Sequence, residues 1–341
     1  MARHYLVTGG AGFIGSNYAH RLIQRGEKVT IFDNLSRPGA PRNVAWLEET
    51  FGKNAFRLIV GDLRNADLMA ESAKDADVIV HLAGQVAVTT SVINPRADFE
   101  SNALGTFNAL EAARLSERNP IFIYASTNKV YGGMEDVELI EETTRWLYAN
   151  LEYGCSEEQP LDFHSPYGCS KGTGDQYVRD YARIYGLRSV VFRQSCIYGP
   201  RQFGVEDQGW LAWMMIAAVT GRKITIYGDG KQVRDVLHVN DLMNAYDLAI
   251  EKIDNAKGQA YNVGGGTRNV MAIWAEFGPI LEKLLGRKIE VARDKWRPGD
   301  QRVFYADFRK AKHQLGWEPK IDLEEGMELL FDWIKDNKDL F

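Results

Sequence analysis

Short apolar runs alternate along the chain with longer stretches in which apolar residues recur at three- and four-residue spacing. The runs read HYLVTG, KVTIFD, FRLIVGD, DVIVHLAG, PIFIYAST and SVVFRQS, and the spacing within Asn17 to Arg25 and Ala103 to Leu115 is typical of amphipathic helices. Such alternation predicts a parallel sheet covered by helices on both faces. We therefore expect the first 195 residues to form a doubly wound α/β domain.

The pattern loosens after Tyr198 into sequence rich in glycine, proline and aromatic residues, beginning YGPRQFGVEDQGWLAWMM. A strand-like AYNVGGG at 260–266 indicates that the chain then returns to the first domain. We expect one domain from residues 1–195 and about 236–266. A smaller, discontinuous C-terminal domain of about 196–235 and 267–341 would hold the specificity for a substrate.

Composition and charge narrow the classes of partner. The 341 residues are 45% hydrophobic and 26% charged, as in average soluble proteins, and the net charge of −5 gives no help in binding nucleic acid or an anionic membrane. Trp210 to Val219 is too short to span a bilayer, and we expect no secretory segment before the turn motif that starts by residue 8. The three cysteines, Cys155, Cys169 and Cys196, indicate reduced thiols in a cytoplasmic protein, and no residues at ligand spacing predict a metal site.

A glycine-rich loop follows the first apolar run. In VTGGAGFIGS, Gly9, Gly12 and Gly15 have the spacing at which a backbone turns tightly, approaches a diphosphate and starts a helix whose N-terminus attracts an anion. The strand before the loop and the helical pattern after it support a dinucleotide site of the Rossmann type. We expect Phe13 and Ile14, at the start of the helix, to contribute to it.

Asp33 stands eighteen residues beyond Gly15, at the end of the second run. A carboxylate there accepts hydrogen bonds from ribose hydroxyls and repels a 2′-phosphate, which favours NAD over NADP, although nearby Arg37 leaves NADP open. Asp62 ends the third run and suits a contact with the adenine edge; an ordinary cap at the strand end is the alternative. The neighbouring residues included in this predicted site are Asn34, Ser36 and Leu63.

A tyrosine and a lysine four positions apart occur in HSPYGCSKG. In a helix, Tyr167 and Lys171 share one face, and we expect the lysine and an oxidised nicotinamide to lower the pKa of the phenol. The phenolate would then take a proton from a substrate hydroxyl. Thr127, with Ser126, ends a strand in YASTNKVYG and offers a hydroxyl to the reacting oxygen. We expect His164 to cap the helix.

Together TGGAGFIG, HLAG, the hydroxyl residue before VYG, and PYGCSK resemble the extended short-chain dehydrogenase/reductase superfamily of sugar-nucleotide epimerases and dehydratases. The resemblance covers nearly the whole chain. It implies NAD as cofactor, Tyr167 as catalytic acid and base, Thr127 in the usual serine or threonine role, and Lys171 tuning the tyrosine and holding the nicotinamide ribose. Residues implied to lie along the cofactor are Leu82, Ala83, Gly84, Gln85 and Asn102.

The reaction is indicated by departures from the superfamily pattern. The dehydratases of this superfamily carry an Asp-Glu pair after the threonine, whereas this chain has Asn128 and Lys129, which disfavours a dehydratase. The closer resemblance is to the CDP-paratose 2-epimerases, also called CDP-tyvelose 2-epimerases, through FDNLSRPGA, HLAGQVAVTTSVINP, STNKVYG, LDFHSPYGCSKG, YGPRQF, DQGW and GKQVRDVLHV. It implies inversion at C2 of a CDP-sugar, either a 3,6-dideoxyhexose or a full hexose. A UDP-hexose 4-epimerase and a non-catalytic NAD-binding sensor are the alternatives.

Arginines are the side chains suited to a nucleotide diphosphate. The resemblance places Arg234 and Arg302 at the substrate pyrophosphate, and ion pairs with Asp235 or Asp300 are the alternative. Further candidates for substrate contacts are Asn128, Lys129, Arg201, Gln202, Asp207 and Gln208. The resemblance also implies a homo-oligomer, dimer or tetramer, formed through the helices that include Ala103 to Leu115 and Tyr167 to Tyr185.

Overall fold

Strands and helices alternate through the first part of the chain, as the apolar pattern predicts. The computed structural model describes residues 2–297 and 300–341. Up to Tyr185 the elements are β1 (His4–Thr8), α1 (Phe13–Gln24), β2 (Lys28–Asp33), α2 (Ala40–Phe51), β3 (Arg57–Val60), α3 (Ala66–Ala73), β4 (Val78–His81), α4 (Val88–Ile93), α5 (Pro95–Phe99), a π-helical turn (Glu100–Leu104), α6 (Gly105–Leu115), β5 (Ile121–Thr127), a 3-10 turn (Asn128–Tyr131), β6 (Leu139–Glu141), β7 (Trp146–Tyr148) and α7 (Ser165–Tyr185).

Shorter strands and longer connections follow, as the loosened pattern predicts. These elements are β8 (Arg188–Gln194), β9 (Cys196–Tyr198), α8 (Trp210–Thr220), β10 (Ile224–Tyr227), β11 (Val233–His238), α9 (Val239–Glu251), α10 (Ile253–Ala256), β12 (Ala260–Val263), β13 (Val270–Ala272), α11 (Phe277–Leu285), β14 (Val291–Asp294), β15 (Val303–Phe304), α12 (Arg309–Leu315), α13 (Leu323–Asp336) and a final 3-10 turn (Lys338–Leu340). No helix of the described residues is both long enough and apolar enough to cross a membrane.

The main sheet has the strand order β3-β2-β1-β4-β5-β8-β12. The pairs β1–β2, β1–β4, β2–β3 and β4–β5 are parallel. Leu6, Ile79 and Phe122 are fully buried along its centre, which explains the near-continuous apolar runs. The order reverses between β1 and β4, and this switch point is where doubly wound sheets bind nucleotides. The sheet confirms the predicted Rossmann-type fold.

The chain forms two compact units. The first comprises residues 1–127, 165–193 and 245–261, and the second comprises 128–164, 194–244 and 262–341. The segment 128–164, expected in the first domain, therefore belongs to the second unit, and so do residues 194–195, 236–244 and 262–266. The reason is tertiary packing: Val130, Tyr131 and Tyr148 share an apolar cluster with Val303 and Phe304. The binding of NAD by one domain and of the nucleotide sugar by the other stays a prediction.

Each unit has its own apolar core. In the first unit, Leu6, Phe32 and Ile79 of the sheet pack with Leu110 of α6 and Val178 of α7. In the second unit, α8 packs with α11 and α13, and its run of buried residues explains the apolar WLAWMMIAAV. The tryptophans and methionines of α8 thus contribute to a core.

Candidate active site

Glycines shape the loop between β1 and α1. Gly9 has φ +67°, and a Cβ atom on it would lie 2.7 Å from the backbone nitrogen of Ala83. A Cβ atom on Gly15 would lie 2.3 Å from the Gly9 carbonyl oxygen. Within the described residues no side chain caps α1 at Gly12, so the first N–H groups of the helix remain available to an anion. This cradle fits the diphosphate of a dinucleotide.

Asp33 ends β2 as a buried carboxylate. Its Oδ2 accepts from the Ala11 N–H at 3.0 Å, and its Oδ1 accepts from the Leu35 N–H at 2.8 Å. Burial raises the pKa of Asp33, and these backbone hydrogen bonds offset part of that rise. Each carboxylate oxygen keeps capacity for a further donor, as the hydroxyls of an adenosine ribose require. The acceptor oxygens of Asp33 therefore fit the adenosine ribose of NAD.

The residues after β2 are less constrained. The Ser36 N–H donates to Asn34 Oδ1 at 3.1 Å in an exposed turn. Arg37 is exposed, and its positive charge lowers the pKa of Tyr167. Arg37 therefore acts electrostatically on the catalytic tyrosine candidate. Its expected alternative role, binding a 2′-phosphate, stays a prediction.

Asp62 is paired with a neighbouring arginine. Its Oδ2 lies 2.7 Å from Arg64 Nη2, and its Oδ1 accepts the Arg64 N–H at 2.9 Å. These bonds lower the pKa of Asp62, in keeping with the alternative of a strand-end cap. Leu63 is buried, and its carbonyl accepts from Asn108 Nδ2 at 2.8 Å. A contact of Asp62 or Leu63 with adenine stays a prediction.

The loop after β4 lies on the other side of the switch point. The Leu82 N–H donates to the Thr8 carbonyl at 3.1 Å, which continues the β1–β4 pairing. A Cβ atom on Gly84 would lie 2.4 Å from Asn102 Oδ1, so glycine admits the asparagine side chain. The Gln85 N–H donates to that same oxygen at 2.9 Å. The structure thus brings the predicted residues of this loop and Asn102 together.

The catalytic candidates lie on β5 and α7. The helix begins at Ser165, whose hydroxyl accepts the Gly168 N–H at 3.2 Å, so Ser165 takes the capping role expected of His164. Tyr167 and Lys171 are both buried on the same face of the helix. The hydroxyl of Thr127, also buried, is hydrogen-bonded to the Tyr167 phenol. The structure therefore joins the expected tyrosine and threonine directly.

Electrostatics at this pair differ from the expectation. Burial raises the pKa of Tyr167 to about 12, although the Thr127 hydrogen bond lowers it in part. Burial lowers the pKa of Lys171 to about 8, against the charges of Asp175 and Asp98, and Lys171 Nζ lies 4.4 Å from the centre of the Tyr124 ring. Since burial opposes both charges, the residues of the chain alone do not lower the pKa of the phenol, and the lowering expected from Lys171 together with an oxidised nicotinamide stays a prediction.

A separate polar cluster lies in the second unit. Arg234 is buried; its Nη2 donates to Asp300 Oδ1 at 2.7 Å and to the Gln301 carbonyl at 2.6 Å. Lys129 Nζ donates to Gln301 Oε1 at 3.2 Å. Burial and the charge of Arg234 lower the pKa of Lys129 to about 8. Asp300 is thus the ion-pair partner of Arg234, whereas Asp235 accepts from backbone N–H groups and Ser195.

The other substrate candidates have varied surroundings. Arg302 is exposed and lies over two tryptophan rings, 4.7 Å from the centre of Trp146 and 5.5 Å from that of Trp296. Arg201 has φ +68° and lies over the ring of Trp333 at 5.7 Å.

Further candidates are amide residues. Asn128 is buried. Gln202 Nε2 donates to the Ile197 carbonyl at 3.2 Å, and the Gln208 N–H donates to the Val205 carbonyl at 2.9 Å. Their contacts with a substrate stay predictions.

Sequence reasoning missed buried polar residues around the lysine. Arg193 and Asp175 form an ion pair, and Asp98 accepts hydrogen bonds from Ser170 and Asn102. Asp175 lies four residues after Lys171, a spacing that could have indicated a partner on the same helix face. Asp98 lies in the polar stretch NPRADFESN, where nothing in the pattern marks it as buried.

This fold and site define a member of the extended short-chain dehydrogenase/reductase superfamily, whose members include sugar-nucleotide epimerases and dehydratases. Within it, the chain belongs to the family described as GDP-mannose 4,6 dehydratase, whose family model matches residues 6–330. The resemblance to the superfamily read from the sequence is confirmed.

Three relatives illustrate the range of activities. The chain is 43% identical to a CDP-paratose 2-epimerase of Salmonella typhi over 96% of this chain and 98% of that protein. It is 30% identical to UDP-glucose 4-epimerase of Thermotoga maritima, solved with UDP-glucose, over 98% and 99% of the two chains, with a TM-score of 0.82. A dTDP-glucose 4,6-dehydratase of Streptomyces venezuelae, solved with NAD, is 28% identical over 99% and 98%, with a TM-score of 0.83.

Proposed function

We propose that the chain is an NAD-dependent epimerase that inverts C2 of a CDP-sugar through a transient 2-keto intermediate. The observation that carries the proposal is Asn128-Lys129 directly after Thr127. An amide and a lysine hydrogen-bonded to Gln301 stand where the dehydratases that the sequence resembles carry two carboxylates. The 43% identity to a CDP-paratose 2-epimerase supports the position of inversion and the cytidine nucleotide.

When bound, NAD would supply the redox chemistry, as acceptor and then donor of the hydride at the sugar carbon. The glycine cradle at Gly9 and Gly15 and the carboxylate of Asp33 would hold it, and the NAD-containing structural relative supports this cofactor. Asp33 favours NAD over NADP because a carboxylate repels a 2′-phosphate.

Tyr167 handles the proton. Its phenolate removes the proton from the 2-hydroxyl while C2 loses its hydrogen with the electron pair, so a C2 carbonyl forms. The Thr127 hydroxyl, hydrogen-bonded to the phenol, is suited to hold the reacting oxygen. After the keto sugar presents its other face, the phenol returns the proton and C2 regains hydride. Lys171 contributes a positive charge on the same helix face.

A UDP-hexose 4-epimerase remains the second candidate, because the UDP-glucose 4-epimerase of Thermotoga maritima covers nearly the whole chain. Purified protein incubated with CDP-glucose, CDP-paratose and UDP-glucose, each deuterated at C2 or at C4, separates the two. We expect inversion at C2 with the label retained in the product. Inversion at C4 would instead support a UDP-hexose 4-epimerase. Bound NAD without turnover of any sugar nucleotide would favour a non-catalytic NAD-binding sensor.

We also propose a homo-oligomer, dimer or tetramer. Phe107 of α6 and Tyr177 of α7 are exposed, and their rings meet edge to face with centroids 6.0 Å apart. Ile184 and Tyr185 extend this apolar surface on α7. Large exposed apolar patches mark interaction sites. The cytoplasmic location expected from the cysteines stays a prediction.

A further inference from the structure

The proposed reaction gives no role to Asp98, a buried carboxylate of the first unit. Asp98, in the short helix α5, is 1% exposed. Its Oδ1 accepts from Asn102 Nδ2 at 3.1 Å, and its Oδ2 accepts from Ser170 Oγ at 2.5 Å. A buried charge held by neutral donors is costly unless a charged group compensates it. The location of Asp98 therefore calls for a functional explanation.

The hydrogen bonds around Asp98 suit an ionised carboxylate. The Gln85 N–H is a backbone donor, so the atom of Asn102 that faces it at 2.9 Å must be the carbonyl Oδ1. Asn102 Nδ2 then donates both to Asp98 and to Ser170 Oγ, the latter at 3.1 Å. Ser170 in turn donates its proton to Asp98. Both oxygens of Asp98 are acceptors, as in an ionised carboxylate.

Asp98 acts on the catalytic pair. Its charge raises the pKa of Lys171, the residue after Ser170, and also raises the pKa of Tyr167. Burial raises the pKa of Asp98, and the Ser170 hydrogen bond and the charge of Lys171 offset part of that rise. Asp98 is thus coupled to both residues that exchange or stabilise charge in the proposed reaction.

The second carboxylate beside Lys171 is paired with an arginine. Asp175 receives Arg193 Nε at 2.9 Å and Arg193 Nη2 at 3.0 Å. For Asp98, the cation that acts on it within the described part of the chain is Lys171 itself. Both carboxylates raise the pKa of Lys171, Asp175 more than Asp98. Asp175 already has the Arg193 guanidinium as its partner, whereas Asp98 relies on Lys171 for a positive charge.

The other titratable groups acting near the pair are neutral or positively charged. His81 of β4 is neutral, because burial lowers its pKa to about 3, and burial raises the pKa of Tyr124 of β5, so it stays a neutral phenol. Arg37, in the loop after β2, acts on Tyr167 with a positive charge. None of these groups supplies a negative charge to Lys171.

We propose that Asp98 is a positioning residue, which holds Lys171 as an ammonium ion and, through Ser170 and Asn102, ties the catalytic helix to the loop of Gln85. The π-helical turn that carries Asn102 supports this assignment, since such turns are frequent at functional sites. The assignment rests on the proposed function, because the step that Asp98 assists is the proton transfer at Tyr167.

Replacing Asp98→Asn removes the charge at nearly constant volume. The amide can donate to Ser170 Oγ, because the serine hydroxyl has a second acceptor in the Tyr167 carbonyl at 3.2 Å. The negative charge of Asp98 raises the pKa of both Tyr167 and Lys171. Its loss is therefore expected to shift both the acidic and the alkaline limb of the kcat–pH profile to lower pH, by about one unit. KM for the CDP-sugar is expected to stay unchanged.

Two variants separate charge from packing. Asp98→Glu keeps the charge and is expected to return both limbs toward their wild-type pH. Glu100→Gln removes a charge two residues away that pairs with Arg96 and Arg64, and is expected to leave the profile in place. A lower kcat with unmoved limbs in Asp98→Asn would overturn the proposal and indicate a structural role.

A measurement without turnover keeps this test distinct from the proposed function. In the NAD-bound protein, the ε-carbon resonance of Lys171, assigned with Lys171→Arg, reports its titration whether or not any sugar is epimerised. We expect a lower pKa of Lys171 in Asp98→Asn than in the wild type. Should that variant not fold, the side-chain carboxyl resonance of Asp98 in the wild type decides: a protonated Asp98 across the active pH range would contradict the proposal.

Discussion

Arg193 and Asp175 form an ion pair inside the first unit, with side chains 2% and 0% exposed. Two nitrogens of the guanidinium bind the two carboxylate oxygens, and Ser126 Oγ donates to Oδ2 of the same carboxylate at 2.8 Å. The pair links β8, α7 and the end of β5 beside Thr127. It therefore supports the catalytic elements directly.

Breaking this ion pair is expected to destabilise the fold. Arg193→Met leaves the charge of Asp175 buried without its partner, and such losses typically cost about 3–5 kcal/mol. The free energy of unfolding, measured by urea denaturation, checks the prediction. The double variant Arg193→Met/Asp175→Leu removes both charges and is expected to be more stable than the single variant. A single variant as stable as the wild type would contradict this account.

Tyr167→Phe is expected to lower kcat by about 100- to 10,000-fold, because the general acid and base is removed. NAD binding should persist, since the glycine cradle and Asp33 are untouched. Turnover of the CDP-sugar and NAD content after purification measure the two effects. Tyr177→Phe, at an exposed tyrosine of the same helix, serves as the matched control and should retain activity. Equal activity in both variants would remove Tyr167 from its role.

Much of the fold follows from local sequence signals. Apolar runs of strand length, glycines at fixed spacing and helical periodicity are read over a few residues, so the parallel sheet and the loop at Gly9 were predicted correctly. Which compact unit contains residues 128–164 depends instead on packing against Val303 and Phe304, which lie far away in the chain. No local pattern encodes such a contact.

The candidate site was predictable where a motif carried it. Tyr167 and Lys171 share a helix face because of their spacing, and Thr127 ends its strand as expected. Asp98 was missed because its burial arises from α5 packing on α7, which its polar neighbours do not reveal. The raised pKa of Tyr167 was missed for a related reason: spacing shows which groups are near, whereas burial sets the cost of charge.

The backbone of Gly9 and Gly10 lies so close to Gly15 that a side chain at residue 15 is expected to impair cofactor binding. In Gly15→Ala, the new methyl group meets Gly9 O at 2.3 Å and Gly10 Cα at 2.6 Å, so the loop must move. We expect at least a 100-fold weaker affinity for NAD and a cost of about 1–3 kcal/mol in stability. Calorimetric titration with NAD measures the affinity. The control Gly286→Ala, at φ +69° with open space around it, should lose only about 1–2 kcal/mol and bind NAD normally.

The exposed face of α6 and α7 predicts an assembly that charge can disrupt. In Phe107→Glu/Tyr177→Glu, carboxylates replace two aromatic rings that meet on this face, and burying them in an interface would be costly. Light scattering coupled to size-exclusion chromatography should show an oligomer for the wild type and a monomer for the variant. Ile140→Glu, at an exposed apolar residue of β6, should remain oligomeric. A monomeric wild type would contradict the proposed assembly.

Replacing Lys129 is expected to increase the stability of the fold by an amount that depends on pH. Its pKa falls from 10.5 to about 8 in the folded protein, so the folded state disfavours the ammonium form. The resulting penalty is complete below about pH 8 and disappears as the pH rises toward the unfolded value. Lys129→Met should therefore stabilise the fold by about 1–3 kcal/mol at neutral pH, with a smaller gain at higher pH. Urea denaturation of both proteins across this range measures the difference, and a gain that grows with pH would contradict the assigned shift.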